Sequence, residues 1–406
     1  MLVIISMAWR NIWRNKARSF VIMFSVALGI FAGLMVMALY KGMMRDRIKA
    51  LIYQETGHLQ LHNPSFKNDY EVKFTIDNLA NVNNLLTQNR HVKKFTLRSI
   101  AQGMLATTNG SAGLQINGID PASENNCSEL NKKIIIGQVF SNQKKYEIII
   151  GQKLSKKMKI SLGDKVVLTF TDHTDEIVSG AFRVVGIMQT SNSAWEERNV
   201  YVQRNELNEL LGLPNGAHEI AVILNSNEEL PVAMMDLKSK MKSVLLEDWK
   251  KLSPETELMV DTVDITSYII MVIILIALAF GIINTMLMSI LERTREIGMM
   301  MALGMNKLKL FVLVLMETTF LTLSGLPLGI IAAISLSNYI AENGFSFGAN
   351  SEEMMRKYGF GTTIYTDFAY EKLAMTILFV VTTAFISCLY PAIRALKLNP
   401  MEALRK

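Results

Sequence analysis

Residues 265–291, ITSYIIMVIILIALAFGIINTMLMSIL, form a 27-residue run without a charge. They lead directly into ERTREIGMMMALGMNKLK at 292–309. Crossing a bilayer takes about 17–25 mostly apolar residues, whereas an apolar run inside a soluble core is about 10–14 long. The first run is therefore a span, and the charged stretch after it is where the chain leaves the hydrocarbon.

Working outward, residues 19–40 and 373–393 are also uncharged, and 310–341 carries Glu317 as its only charge, with 310–338 taken as the span. Composition agrees: 50% of the 406 residues are hydrophobic, 19% are charged, and the mean hydropathy is +0.24. The expected fold is a membrane protein with four transmembrane α-helices. A large α+β extracytoplasmic domain, 41–264, is inserted between helices 1 and 2.

Lys and Arg near span ends set orientation. Arg10, Arg14, Lys16 and Arg18 precede the first span, and Arg293, Arg295, Lys307 and Lys309 separate the second from the third. Arg394, Lys397, Arg405 and Lys406 follow the fourth. The 339–372 loop sets only Arg356, Lys357 and Lys372 against Glu342, Glu352, Glu353, Asp367 and Glu371. Both termini, 292–309 and the 394–406 tail are expected in the cytoplasm, with 41–264 and 339–372 on the other side. The net charge of +6 thus reads as a topology signal, and no basic–aromatic pattern points to nucleic acid. A cleaved signal peptide is the alternative for the first span. Its 22 uncharged residues exceed the usual h-region of about 7–15, and ALYKG offers no small-x-small site.

Within the insert, GHLQLHN, SAGLQINGID, KYEIIIG, DKVVLTF, AFRVVGIM and NVYVQ read as strands. IDNLANVNNLLTQN, QRNELNELLG and VAMMDLKSKMKSVLLEDWKKL read as helices. A β-rich unit over 94–214 is expected, with 41–93 and 215–264 folding together near the membrane. Cys127 in the insert and Cys388 in the fourth span cannot pair within one chain.

Chemistry is sparse. His58 and His62 fall on one face of a strand without nearby carboxylates, as a surface pair, and His218-Glu219 lacks the second His of a zinc helix. No Gly-x-Ser-x-Gly elbow or Gly-x₄-Gly-Lys-Ser/Thr loop occurs. No catalytic, metal or cofactor residues are assigned, and any ATP and Mg are expected on a partner ATPase.

Segment 1–18 reads as a surface helix with Trp9, Ile12 and Trp13 on one face and Arg10, Arg14 and Arg18 on another, suited to membrane lipids. An ordinary basic signal-anchor start is the other reading. Gly29-x-x-x-Gly33 and Gly325-x-x-x-Gly329 would let helices approach closely, within or between subunits, and Pro327 would kink the third span. Glu317 is either a functional contact or a structural carboxyl facing a neighbouring helix, with no basic residue deep in any span to name its partner. Asn284 reads as interhelical glue. In the 292–309 link, Glu292, Arg295 and Glu296 are expected to continue the second helix and Gly298 to break or tighten it. The MMMAL run with Ala302 and Leu303 exposes an apolar face, and Gly304 stops it before Lys307 and Lys309. A docking knob for a cytoplasmic partner and a solvated connector both fit that pattern.

Five stretches carry a resemblance: AWRNIWRNKARS (8–19), EIIIGQKLSKKMKISLGDKVVLTF (147–170), FRVVGIMQTSNSAWEERNVYV (182–202), the 292–309 link and PAIRALKLNPMEALRK (391–406). In this order around four spans they resemble the FtsX/MacB-type permeases of ABC transporters, the family that includes the lipoprotein-releasing LolC and LolE subunits. A Glu followed by Gly-x-x-x-Gly in the third span, here Glu317, Gly325 and Gly329, is also usual there. The resemblance implies a non-catalytic, multi-pass inner-membrane subunit, paired with a second identical or different permease and with cytoplasmic ABC ATPases. Glu292, Arg293, Arg295, Glu296, Gly298, Ala302, Leu303 and Gly304 would form the coupling segment seated in the ATPase. ATP-driven motion would then pass to the periplasmic domain, and a periplasmic carrier or adaptor could receive cargo. Length and the lack of a fused ATPase sit closest to lipoprotein release. MacB-like efflux of peptides or drugs and an FtsX-like scaffold activating cell-wall hydrolases are the alternatives. The 339–372 loop is longer than a minimal turn, which departs from a close match.

Overall fold

A computed structural model of the chain describes residues 2–14, 16–140 and 145–396. It divides into two compact units. One comprises Met1–Met44, Asp261–Phe345 and Ile364–Lys406; the other comprises Arg45–Val260 and Ser346–Thr363.

The first unit is helical. A short N-terminal helix, Leu2–Arg14, precedes the long helix Lys16–Ala50; Pro254–Glu292, Lys307–Asn343 and Tyr370–Leu396 follow. Among the described residues, four helices are long and apolar enough to cross a membrane. The first helix outruns its apolar stretch, which stops at 40, and ends in a wider turn at Leu51–Thr56. The second begins at Pro254, with Glu255 and Glu257 in its first turn, where a fixed φ and negative charge favour helix starts. Hydropathy marks the greasy part of each helix, whereas backbone hydrogen bonding continues through polar residues.

Small residues set the packing of this unit. A Cβ on Gly329 would lie 2.5 Å from the Ala27 carbonyl oxygen, and one on Gly325 would lie 2.6 Å from that of Met23. The third helix therefore packs backbone-close on the first, within the same chain. Gly29 and Gly33 meet Leu278 and Met271 of the second helix at 3.3 and 2.9 Å, measured from their would-be Cβ atoms. The third helix runs continuously through Pro327.

The second unit is a mixed domain whose described residues form a ten-stranded sheet. Its strands are β1 (Leu59–His62), β2 (Val92–Thr107), β3 (Gly110–Ile119), β4 (Ile134–Gly137), β5 (Glu147–Gly151), β6 (Lys165–Thr171), β7 (Ile177–Met188), β8 (Asn199–Gln203), β9 (Glu219–Leu224) and β10 (Leu245–Asp248). The order is β10-β1-β9-β2-β3-β8-β5-β7-β4, with β6 pairing β2 and β7. The β3–β8 and β5–β7 pairs are parallel and the others antiparallel.

Strand β2 joins two cores. Its first half pairs with β9, Phe95 opposite Val222, and its second with β6, Met104 opposite Thr169. One core gathers Leu59, Leu61, Leu86, Val222, Leu237 and Trp249; the other gathers Leu105, Leu154, Leu168, Phe182 and Leu207. The expected boundary at 94 thus falls inside a strand that both halves share. The stretch after Val232 also differs from its expected single helix. The helix Leu230–Lys240 ends where Met241 leaves helical geometry, and Leu245–Asp248 becomes an edge strand beside β1. Part of the 339–372 loop, Ser346–Thr363, folds with this domain.

Candidate functional site

The link between the second and third helices is a helix of its own. The second helix ends at Glu292, and Arg293, at φ −103° and ψ 15°, breaks the helical path before Thr294–Ala302 begins. Arg295 and Glu296 therefore do not continue the second helix, and Gly298 breaks nothing: it lies buried inside the link helix beside buried Ile297. At this turn the Arg293 guanidinium meets two carboxylates. At the far end Gly304 takes φ +91°, its N–H meeting the Met301 carbonyl at 3.1 Å, and the Asn306 side chain accepts from the Leu308 N–H to start the third helix.

Arg293 supplies the partner that Glu317 lacked in the sequence. Its Nη1 donates to both Glu317 carboxylate oxygens, at 3.2 and 3.1 Å, and its Nε donates to Glu296 at 3.1 Å. Glu296 in turn pairs with Arg14 of the N-terminal helix. Glu317 is only 3% exposed, so its charge is held by contact rather than by solvent. No basic residue had to lie deep in a span, because the long Arg293 stem reaches inward from the helix end. Glu296 is accordingly a strut between helices.

The outer face of the link is open. Glu292, Arg295, Met299 and Ala302 are exposed, and Leu303 is 90% exposed. Three- and four-residue spacing puts 295, 299 and 302 on one side of the helix. The N-terminal helix turns Ala8 and Ile12 inward and leaves Trp9 and Trp13 largely exposed, with Trp9 edge-on to Phe320 at 5.7 Å. Ile12 thus leaves the surface face it was expected to share with the two tryptophans. Asn284 lies on the exposed side of its helix rather than against another helix of this chain. Lys397 and the rest of the tail to 406 lie outside the described residues, as does the Arg18 side chain.

The inserted domain holds its histidines inside. His58 and His62 are buried, not the surface pair that an isolated strand suggests, because β1 lies between β9 and β10. The His62 ring nitrogens meet the His218 carbonyl at 3.1 Å and the Gln60 side-chain oxygen at 3.0 Å, and His58 Nδ1 accepts from the Leu224 N–H at 3.3 Å. Burial pushes His62 down to about 3 and His58 down to about 4. Nearby, buried Arg98 joins Glu124 at 2.7 and 3.0 Å and Glu219 at 2.8 Å. Among the described residues no group of His, Cys, Asp or Glu is placed to hold a metal ion.

Two family descriptions match the chain: FtsX-like permease C-terminal over residues 268–400 and MacB-like periplasmic core domain over 19–240. An ABC transporter permease of Methanocaldococcus jannaschii is 27% identical over 66% of this chain and 64% of its own length. A macrolide export ATP-binding/permease protein MacB of Bdellovibrio bacteriovorus is 21% identical over 96% of this chain. The chain spans 60% of that protein's length. The lipoprotein-releasing system transmembrane protein LolC of Neisseria meningitidis is 22% identical over 97% of this chain and 95% of its own length.

Proposed function

The chain belongs to the MacB-like, FtsX-like family of ABC transporter permeases, and from that membership we propose that it converts ATP hydrolysis by a separate cytoplasmic ATPase into movement of the inserted domain. In this reading the termini and link face the cytoplasm of an inner-membrane complex, and the inserted domain faces the periplasm. A second permease, identical or related, completes the pair. ATP and Mg stay on the ATPase; this chain offers it the exposed face of Arg295, Met299, Ala302 and Leu303. Arg293 carries the reading. It ties the link to the interior of the third helix through Glu317, so a push on the link cannot be absorbed by the link alone.

The proposed cargo is a lipoprotein lifted from the outer leaflet of that membrane, supported by likeness to LolC along nearly the whole of both chains. The test is release of a labelled lipoprotein from proteoliposomes holding the permease pair and its ATPase. Release that needs ATP supports the reading. Export of a macrolide or peptide with no lipoprotein release would assign the complex to efflux instead; macrolide export is what the MacB relative is named for.

A further inference from the structure

The loop between the third and fourth helices is fastened at both its base and its tip. At the base, Phe345 and Ile364 exchange backbone hydrogen bonds of 2.9 and 2.8 Å, the Thr366 hydroxyl donates to the Ser337 carbonyl at 2.6 Å, and the Asp367 N–H donates to that of Ala38 at 3.0 Å. Between these ends Ser346–Thr363 folds as part of the inserted domain, around the short helix Ala349–Lys357.

Arg356 is the anchor at the tip. Its Nη2 donates to Glu196 Oε1 at 2.6 Å, its Nε to the Thr190 carbonyl at 3.2 Å and its Nη1 to Gln152 Oε1 at 3.4 Å. Glu196 has a fully buried side chain and also accepts from the Thr190 and Lys153 backbone N–H groups, at 2.5 and 3.2 Å. At the rim, Lys153 and Glu353 pair at 2.5 Å. Just beyond the short helix, Gly359 at φ +79° lies against Arg47, where a Cβ would come within 2.6 Å of the guanidinium carbon. Arg47 is buried and paired to Glu55 at 2.7 Å, and Glu55 also accepts from Asn192 at 3.1 Å.

Arg356 sets one guanidinium nitrogen on a fully buried carboxylate, and undoing such a contact strands a charge. We infer that Ser346–Thr363 is a strap that joins the third and fourth helices to the inserted domain, with Arg356 as its positioning residue. Movement of those helices then reaches the domain by a path separate from the first and second helices, which enter it directly. The inference rests on the proposed transmission of motion but not on the identity of the cargo.

The test reads hydrogen exchange on the full permease with its ATPase in nanodiscs, with and without ATP and Mg. In the wild type, ATP changes exchange across the inserted domain. Arg356→Ala is expected to keep ATPase binding and hydrolysis, to expose 346–363 to exchange and to lose the ATP-dependent change in the domain. Cross-linking thiols introduced by Lys153→Cys and Glu353→Cys is expected to restore that change in the Arg356→Ala chain and to leave it intact in an otherwise wild-type chain. An undiminished change in Arg356→Ala with its strap released overturns the inference. So does its loss on cross-linking the otherwise wild-type chain, which remains informative even if Arg356→Ala fails to fold. Absent lipoprotein release alongside a normal exchange response would sink only the cargo assignment.

Discussion

Arg293 Nη1 donates to both carboxylate oxygens of Glu317, at 3.2 and 3.1 Å, and so joins the turn that opens the link helix to the buried face of the third helix. The contact is charge-assisted, with one guanidinium nitrogen shared between the two oxygens.

Removing one partner should cost more than removing both charges. Arg293→Ala removes the guanidinium that meets buried Glu317, a change of about 3–5 kcal/mol where a buried pair is broken. Glu317→Gln keeps shape and hydrogen bonding and should cost less. The double variant should be more stable than Arg293→Ala alone, as read by thermal unfolding in detergent. Equal, additive losses would show that the two side chains do not interact.

At Gly329 a side chain has nowhere to go. Its Cβ would sit 2.5 Å from the Ala27 carbonyl oxygen, so Gly329→Val must part the first and third helices. At Gly281 a Cβ meets nothing within 4 Å, and Gly281→Ala should be neutral in this chain. Cysteine cross-linking between the first and third helices should fall sharply in Gly329→Val and stay unchanged in Gly281→Ala.

The exposed face of the link should govern ATPase binding. Leu303→Glu puts a charge on a side chain that is already in solvent, so membrane insertion and folding should stand while copurification of the ATPase is lost. Pro at Ala302 should do the same by disrupting the last turn of the helix. Normal ATPase association in both variants would leave the link as a plain connector.

Acid should weaken the inserted domain through its buried histidines. His62 and His58 titrate near 3 and 4 in the folded chain against about 6.5 when unfolded. The unfolded state therefore takes up protons first as pH falls below 6.5, and stability drops between there and the folded values. Above the unfolded value the stabilisation is complete. The slope is at most about 1.4 kcal/mol per pH unit for each histidine. Exchange protection of β1 and β9 should fall from pH 7.5 to 5.5, and His62→Gln should flatten the decline. An unchanged slope in that variant would place the sensitivity elsewhere.

Legibility in the sequence followed the range of the interactions. The four spans were readable because an uncharged run of twenty residues has few other uses, and β3, β5, β6, β7 and β8 were readable as short runs rich in β-branched and aromatic residues. Strands β9 and β10 were less so, since β10 is four residues long and depends on β1 to exist as a strand. The burial of His58 and His62 follows from strand order, which local pattern does not carry. Glu317 stood out by its depth, but its partner lies 24 residues away and outside the apolar stretch, where Arg293 reads as one basic residue among four. Arg356 looked like an ordinary loop cation, and nothing near it in the chain points to Glu196, 160 residues earlier.

In the proposed function, energy enters at one membrane face and movement leaves at the other. Single cysteines at Leu303 and Ile177, both highly exposed, can be probed in the full chain with a membrane-impermeant maleimide. Ile177→Cys should label in spheroplasts, and Leu303→Cys only after the membrane is opened. Labelling of both from the same side would contradict it.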